Sequence, residues 1–303
     1  MPDSTERLSI DPRLLQRMKG IEIKSRFLAK GLYNNRHRST DFGSSNEFIE
    51  YRDYQPGDAL STIDWRVYAR TDRLYVKRFE MEANMEVHFL LDTSGSMRVQ
   101  AERGLPGKLE LAATIVGAVA TMVIAQQDSA GLYCIADGVA VHIPPSQGLR
   151  HLSLLFQHLS DPPGSGGGDF GKLAQRPMQE IGRKGVAFVV SDAIDPPEEL
   201  FETLKGLMVR EQDVTLFQIL DKAELEFPFD KMTEFRNPET DQRIMGDPLR
   251  LKQQYLKRMN SHLQDIEQFC NRTGVDYVRI HNGDDLVNLL ASHFIQRLVR
   301  GRG

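Results

Sequence analysis

Cysteine is scarce in this chain, with only Cys134 and Cys270 among 303 residues. They lie far apart and neither has a neighbour at metal-ligand spacing, which excludes a disulfide framework and a thiolate metal site and suits a reducing compartment. Charge of either sign is also not in excess. The formal net charge of −4 exerts no global pull toward nucleic acid or acidic membranes. The N-terminus, Met1 to Arg7, lacks a basic start followed by an apolar stretch, so no signal peptide is expected and a cytoplasmic protein is. Long hydrophobic runs are missing except for Leu111 to Ala125. That run is short of the roughly 20 residues that cross a bilayer, and its Gly117 and alanines give it a small surface. It reads as a buried core helix, and no membrane span is expected.

What is present is the composition of a soluble globular protein, 40% hydrophobic and 26% charged, long enough for one large or two ordinary domains. The first 84 residues differ in texture from the rest and read as an N-terminal arm, β-rich toward its end. Leu8 to Lys30 has loose helical periodicity, Gly31 to Arg38 reads as a polar, basic loop, and Leu74 to Phe79 alternates like a strand. From residue 85 to 303 strands alternate with helices. Strands are expected at Val87–Leu91, Ala130–Ile135, Val186–Val190, Val214–Leu220 and Val275–Ile280, with Val139–Ile143 as the hairpin partner of the second. Helices are expected at Lys108–Gln127, Leu149–Ser160, Phe170–Gly182 and Pro196–Val209. A long amphipathic one carries Leu256, Met259, Leu263, Ile266 and Cys270 on one face, and Asp284 caps a final one. Phe227 to Met245 reads as a solvent-facing excursion. The fold class is therefore α/β, with a doubly wound, mostly parallel sheet covered on both faces.

In such sheets ligands bind outside the carboxyl ends of the strands. After the first strand comes Asp92-Thr93-Ser94-Gly95-Ser96, and after the Val186–Val190 strand comes Ser191-Asp192. Both carboxylates belong to one edge, within reach of the Pro162–Asp169 loop. Carboxylate and hydroxyl oxygens suit a hard cation; Mg²⁺ takes one or two carboxylates and keeps several waters. Ser94 and Ser96 around Gly95 can turn both hydroxyls to one point, with Gly95 permitting a tight backbone. The plain alternative, Asp92 as a turn cap and the serines as loop residues, stays open.

Asp92-Thr93-Ser94-Gly95-Ser96 resembles the metal-ion-dependent adhesion site (MIDAS) of von Willebrand factor A domains, Asp-x-Ser-x-Ser. In that family a Thr from a second loop and an Asp from a third complete the site, and Asp192 matches the third. The upstream segment narrows the resemblance. Asn46-Glu47-Phe48, Tyr51-Arg52-Asp53-Tyr54, Pro56-Gly57-Asp58, Ile63-Asp64-Trp65, Ala69-Arg70-Thr71 and Lys77-Arg78-Phe79-Glu80 resemble the signature of the bacterial MoxR-associated family, catalogued as domain of unknown function fifty-eight. The resemblance implies a non-enzymatic protein-interaction module. It would bind Mg²⁺ through Asp92, Ser94, Ser96, Asp192 and Asp169 and coordinate an acidic residue of a client protein. It also implies a MoxR-type AAA+ ATPase as partner in assembling or activating other proteins. One position departs from the family. Gly168 stands where the second loop usually has its Thr, so the ion is Mg²⁺, Mn²⁺ or none, and Asp169, Ser165 or water would fill the gap.

Within the arm, Glu47, Arg52, Asp58, Asp64, Trp65 and Arg70 form either a partner-binding surface or a structural clamp of Arg–carboxylate pairs. Four other features bear on the reading. A metal-free scaffold is consistent with Gly168. A phosphatase-like hydrolase would use Asp92 as nucleophile but wants a carboxylic acid at position 94, which is Ser. Gly104-Leu105-Pro106-Gly107-Lys108 has too few residues between its glycines for a phosphate loop. His88, inside the first strand, reads as a satisfied core residue.

Overall fold

The computed structural model describes residues 12–39, 48–55, 63, 65–79, 85–100, 104–136, 138–164, 170–194, 197–236 and 242–300. The chain forms two compact units, Thr40–Asn84 and a larger one made of Met1–Ser39 with Met85–Gly303. This division differs from the expected arm of residues 1–84, because the first 39 residues belong to the α/β unit.

The smaller unit pairs strand β1 (Phe48–Asp53) antiparallel with β2 (Tyr75–Phe79), and between them lies helix α3 (Trp65–Thr71). Trp65 is exposed on α3, edge-on to Tyr68, and Arg70 is exposed as well. Arg52 lies on β1; Glu47, Asp58 and Asp64 lie outside the described residues.

The larger unit opens with helices α1 (Pro12–Arg17) and α2 (Ile21–Ser39). Its six sheet strands are β3 (Glu86–Asp92), β4 (Ser129–Ala136), β5 (Gly138–Ser146), β6 (Gly185–Ser191), β7 (Gln212–Leu220) and β10 (Asp276–His281). They lie in the order β10-β7-β6-β3-β4-β5. All neighbours are parallel except the β4–β5 hairpin at one edge. This is the doubly wound, mostly parallel α/β sheet expected from the sequence. From the central β3 the chain winds outward through β4 and β5, then returns to β6 on the other side and winds through β7 to β10. Phe89, Phe188 and Phe217, on the adjacent strands β3, β6 and β7, stack face to face at 5.4 Å across each step.

Helix α4 (Lys108–Ala125) is buried on nearly every side, and is the one helix among the described residues long and apolar enough to cross a bilayer. Its burial is the core position expected of it: the sheet covers one face and α2 another. Thr114 and Thr121 bond back onto their own helix, donating to Glu110 O and Gly117 O, so neither hydroxyl is left unsatisfied. Helix α2 continues through Gly31–Arg38, expected as a loop, because a buried stripe carries it. Ile21, Lys24, Ser25, Leu28, Ala29 and Leu32 are buried at three- and four-residue steps, one face of a helix. The contact is close. A Cβ on Gly117 of α4 would lie 2.4 Å from Ser25 Oγ and 2.8 Å from Phe156, and Ser25 Oγ donates to Thr114 O at 3.0 Å.

Helices α5 (Leu149–Ser160), α6 (Phe170–Glu180) and α7 (Pro197–Val209) follow the expected pattern. A short helix α8 (Lys222–Glu226) then precedes the excursion, which is a hairpin of β8 (Thr233–Arg236) and β9 (Arg243–Gly246). In α9 (Pro248–Thr273) Leu263, Ile266 and Cys270 are buried as expected, with Phe269, while Leu256 and Met259 are half-buried. Helix α10 (Leu286–Arg300) is capped by Asp285, whose side chain accepts from Asn288 N. Asp284, the expected cap, instead accepts from His281 N. His88 is a core residue but not a satisfied one. Its ring nitrogens make no hydrogen bond, the Glu86 carboxylate stands 3.7 Å away, and burial lowers its pKa.

If α2 is core to the α/β unit, Leu28→Ala should remove its fully buried side chain at a cost of about 2–4 kcal/mol. Urea denaturation followed through the α/β unit should then show one cooperative transition at lower midpoint. An unshifted transition would mean that residues 12–39 are an independent arm.

Candidate metal centre

Winding reverses between β3 and β6, the place in such sheets where ligands generally bind. Asp92 is the last residue of β3 and Ser191 the last of β6, with Asp192 next. All three are buried, although they sit at a strand edge. Ser191 Oγ donates to Asp92 Oδ2 at 2.6 Å and accepts from Ala193 N at 3.0 Å. Ser94 N donates to Asp92 Oδ1 at 2.9 Å, and the hydroxyls of Ser94 and Ser96 lie 3.0 Å apart. The serines therefore converge as the motif spacing suggests. The turn does not need glycine's freedom, however: Gly95 has φ −60° and ψ −37° before a 3₁₀ turn at Ser96–Arg98, a conformation open to any residue.

The second loop begins against the first. Arg98 donates to Pro162 O at 2.7 Å and also to Gly164 O. Gly164 has φ +105°, and a Cβ there would lie 2.6 Å from that of Ala136 and 3.1 Å from Thr93 Oγ1. Here glycine is required, both for its backbone and for the close approach. Asp169, Gly168 and Ser165 lie outside the described residues.

Lys108 is the residue that sequence reasoning passed over. It opens α4 and is fully buried, with Nζ donating to Asp192 Oδ2 at 2.9 Å and to Glu224 Oε1 at 2.5 Å. Burial alone would lower its pKa, but the carboxylates of Asp192 and Glu224 outweigh burial and raise it. Glu224 is raised by burial even though Lys108 pulls it the other way. Its Oε2 accepts from Asp221 N in the capping box that starts α8. A signal was available. A lysine at a helix N-terminus faces the positive end of the helix dipole and here heads a largely apolar helix, so it demands carboxylate partners. Ser191 was legible only as a polar residue ending an apolar strand.

Among the described residues no Lys, Arg or His pairs with Asp92. Burial, then the neighbouring Asp192 carboxylate, push its carboxyl up to about 7, with hydrogen bonds from Ser191 and Ser94 opposing. The Lys108 ammonium thus faces two carboxylates, those of Asp192 and Glu224, while Asp92 has only the neighbouring negative charge of Asp192. No group of three His, Cys, Asp or Glu forms a metal-binding cluster among the described residues. A site here would rely on hydroxyls and water beside Asp92. That donor set, all oxygen with one or two carboxylates, fits Mg²⁺ or Mn²⁺ and not a thiolate- or imidazole-loving metal.

Comparison with known proteins adds the family. A family model described as "Protein of unknown function DUF58" matches residues 50–264. Uncharacterized protein Rv1480 of Mycobacterium tuberculosis is 26% identical over 225 residues, 72% of this chain and 68% of that protein. Uncharacterized protein YeaD of Bacillus subtilis is 24% identical over 135 residues, 42% of this chain and 31% of that one. Among solved structures, the conserved hypothetical protein BatB from Bacteroides thetaiotaomicron overlaps 70% of this chain and 98% of its own, at 16% identity and a TM-score of 0.49.

The raised carboxyl of Asp92 has a consequence for stability. Between the ordinary aspartate value of 3.8 and about 7, the folded chain holds a proton that the unfolded chain has released. Metal-free stability therefore falls as pH rises through that window, by up to about 4 kcal/mol. Urea unfolding in EDTA should show wild type losing ground to Asp92→Asn between pH 5 and pH 8. A gap between the two that does not change with pH would contradict the raised carboxyl.

Proposed function

We propose that this chain, which belongs to the DUF58 family, is a non-enzymatic interaction module. In this reading Asp92, Ser94 and Ser96 hold a Mg²⁺ ion, with Asp192 beside them and Asp169 from the second loop. Bound there, the ion would offer an open position to an acidic side chain of a protein partner. The observation that carries this reading is the Asp92 carboxylate, buried beside a second carboxylate with no basic side chain paired to it among the described residues. Ionised and unpaired, such a group is costly; a divalent cation would relieve both it and its neighbour. The paired hydroxyls of Ser94 and Ser96, 3.0 Å apart at the same strand end, supply further hard donors. Mn²⁺ would serve in place of Mg²⁺, since the donors are the same.

A hydrolase using Asp92 as nucleophile is less well supported. The environment that raises its carboxyl favours the protonated form, which is a poor nucleophile, and position 94 bears a serine bonded to Ser96. By family resemblance, the partner to test first is a MoxR-type AAA+ ATPase, with a client protein supplying the acidic residue. The buried free cysteines Cys134 and Cys270, whose thiols burial pushes up to about 12, accord with a cytoplasmic role. One observation favours a second reading, the metal-free scaffold: Lys108 already places a positive charge on Asp192.

Calorimetric titration of the full chain with Mg²⁺ decides between them. The adhesion-site reading expects binding in wild type, weakened about 100-fold or abolished in Asp92→Ala and about 10-fold or more in Ser96→Ala. Recovery of the ATPase with the chain should fall in EDTA. No heat in wild type would leave the scaffold. Undiminished affinity in Asp92→Ala would place the ion elsewhere, and equal ATPase recovery in EDTA would move the interface off the metal.

A further inference from the structure

We infer that Lys108 is a tethered cation that competes with the bound divalent ion for Asp192, so that ion binding shifts its pairing toward Glu224. The inference rests on the metal-binding reading above and adds a means of setting its affinity and transmitting its occupancy.

The geometry leaves Lys108 little choice of partner. Its side chain is about 1% exposed, so the ammonium cannot swing into solvent, and its donors are shared between Asp192 Oδ2 and Glu224 Oε1. The two acceptors are held differently. Glu224 is fixed at both ends, with Oε1 on Lys108, Oε2 on Asp221 N, and its backbone carbonyl accepting from Tyr255 OH of α9. Asp221 in turn accepts from Ala223 N and from Asn282 Nδ2, beyond β10. Asp192 is held more loosely. Apart from Lys108, its carboxylate accepts only a long 3.4 Å bond from Ile194 N among the described contacts. Asp192 is therefore the partner that an incoming ion can draw away, and Glu224 the one that stays.

Charge decides the direction. A divalent ion beside Asp92 attracts Asp192 and repels the ammonium, both strongly because the site is buried and poorly screened. Lys108 then has one remaining fixed acceptor, Glu224, which lies in the first turn of α8. Loading the site would thus tighten the junction of α4 with α8, while an empty site keeps Asp192 neutralised. The two cations do not cancel, since three carboxylates can accommodate both.

The test uses Mn²⁺ and the full chain, with calorimetry for affinity and amide hydrogen exchange across residues 221–227 as a second readout. Lys108→Met should bind Mn²⁺ about tenfold more tightly than wild type, because a buried like charge is gone. Glu224→Gln should bind several-fold more weakly, because Lys108 then leans wholly on Asp192. In the double variant the Glu224→Gln effect should shrink, since the residue that transmits it is missing. Mn²⁺ should slow exchange over residues 221–227 in wild type and not in Glu224→Gln. Equal or weaker binding in Lys108→Met would overturn the competition. If that variant does not fold, unchanged exchange at 221–227 in wild type on saturation with Mn²⁺ overturns it instead. Binding in Lys108→Met but not in wild type would support the competition in its strongest form. Absence of binding in every variant would sink the metal reading itself, and this inference with it.

Discussion

The carboxylate of Asp92, buried at the end of β3 and next to a second buried carboxylate, is the constraint around which this structure is arranged. Its neighbours answer that cost one by one: Ser191 donates a hydroxyl, Ser94 a backbone N–H, and Lys108 neutralises Asp192 from the head of α4. What remains is negative charge at the point where the sheet reverses its winding. A fold that needed only a turn there would not bury two aspartates side by side, because hydrophobic or amide residues would avoid the desolvation cost. That cost is the ground on which a divalent-cation site is proposed here.

The scaffold makes that preparation possible. Parallel strands put the ends of β3, β6, β7 and β10 on one edge, and the polar residues at or just after those ends, Asp92, Ser191, Asp192, Asp221 and Asn282, link into one neighbourhood through Lys108 and Glu224. Helix α4 connects this edge to the rest of the core. Its first residue enters the charged cluster, while its middle packs so closely against α2 that Gly117 has no room for a side chain. Helix α4 thus meets α2 along its middle and the charged cluster at its first residue.

Much of this was legible in the sequence because apolar periodicity reports burial directly. The strand runs and the Asp-x-Ser-x-Ser spacing placed Asp92, Ser94, Ser96 and Asp192 at one edge before any coordinates. The continuation of α2 through Gly31–Arg38 was not legible as polar composition, although the stripe from Ile21 to Leu32 contained it; Lys24 and Ser25, polar in type, occupy core positions because Glu110 and Thr114 O receive them. Lys108 was missed for a related reason. Its partners Asp192 and Glu224 lie 84 and 116 residues away, so no local spacing could announce the cluster. Gly95 shows the reverse error, a glycine credited with a conformation that the chain does not use, whereas Gly164 does use one.

The central claim, that the paired carboxylates exist to hold a divalent cation, meets its most direct test in crystals of the full chain grown with Mn²⁺, using anomalous scattering to locate the ion. The account predicts one strong peak bounded by Asp92, Ser94 and Ser96, absent from crystals of Asp92→Ala. No peak at the ends of β3 and β6, or a peak that persists in Asp92→Ala, would contradict it.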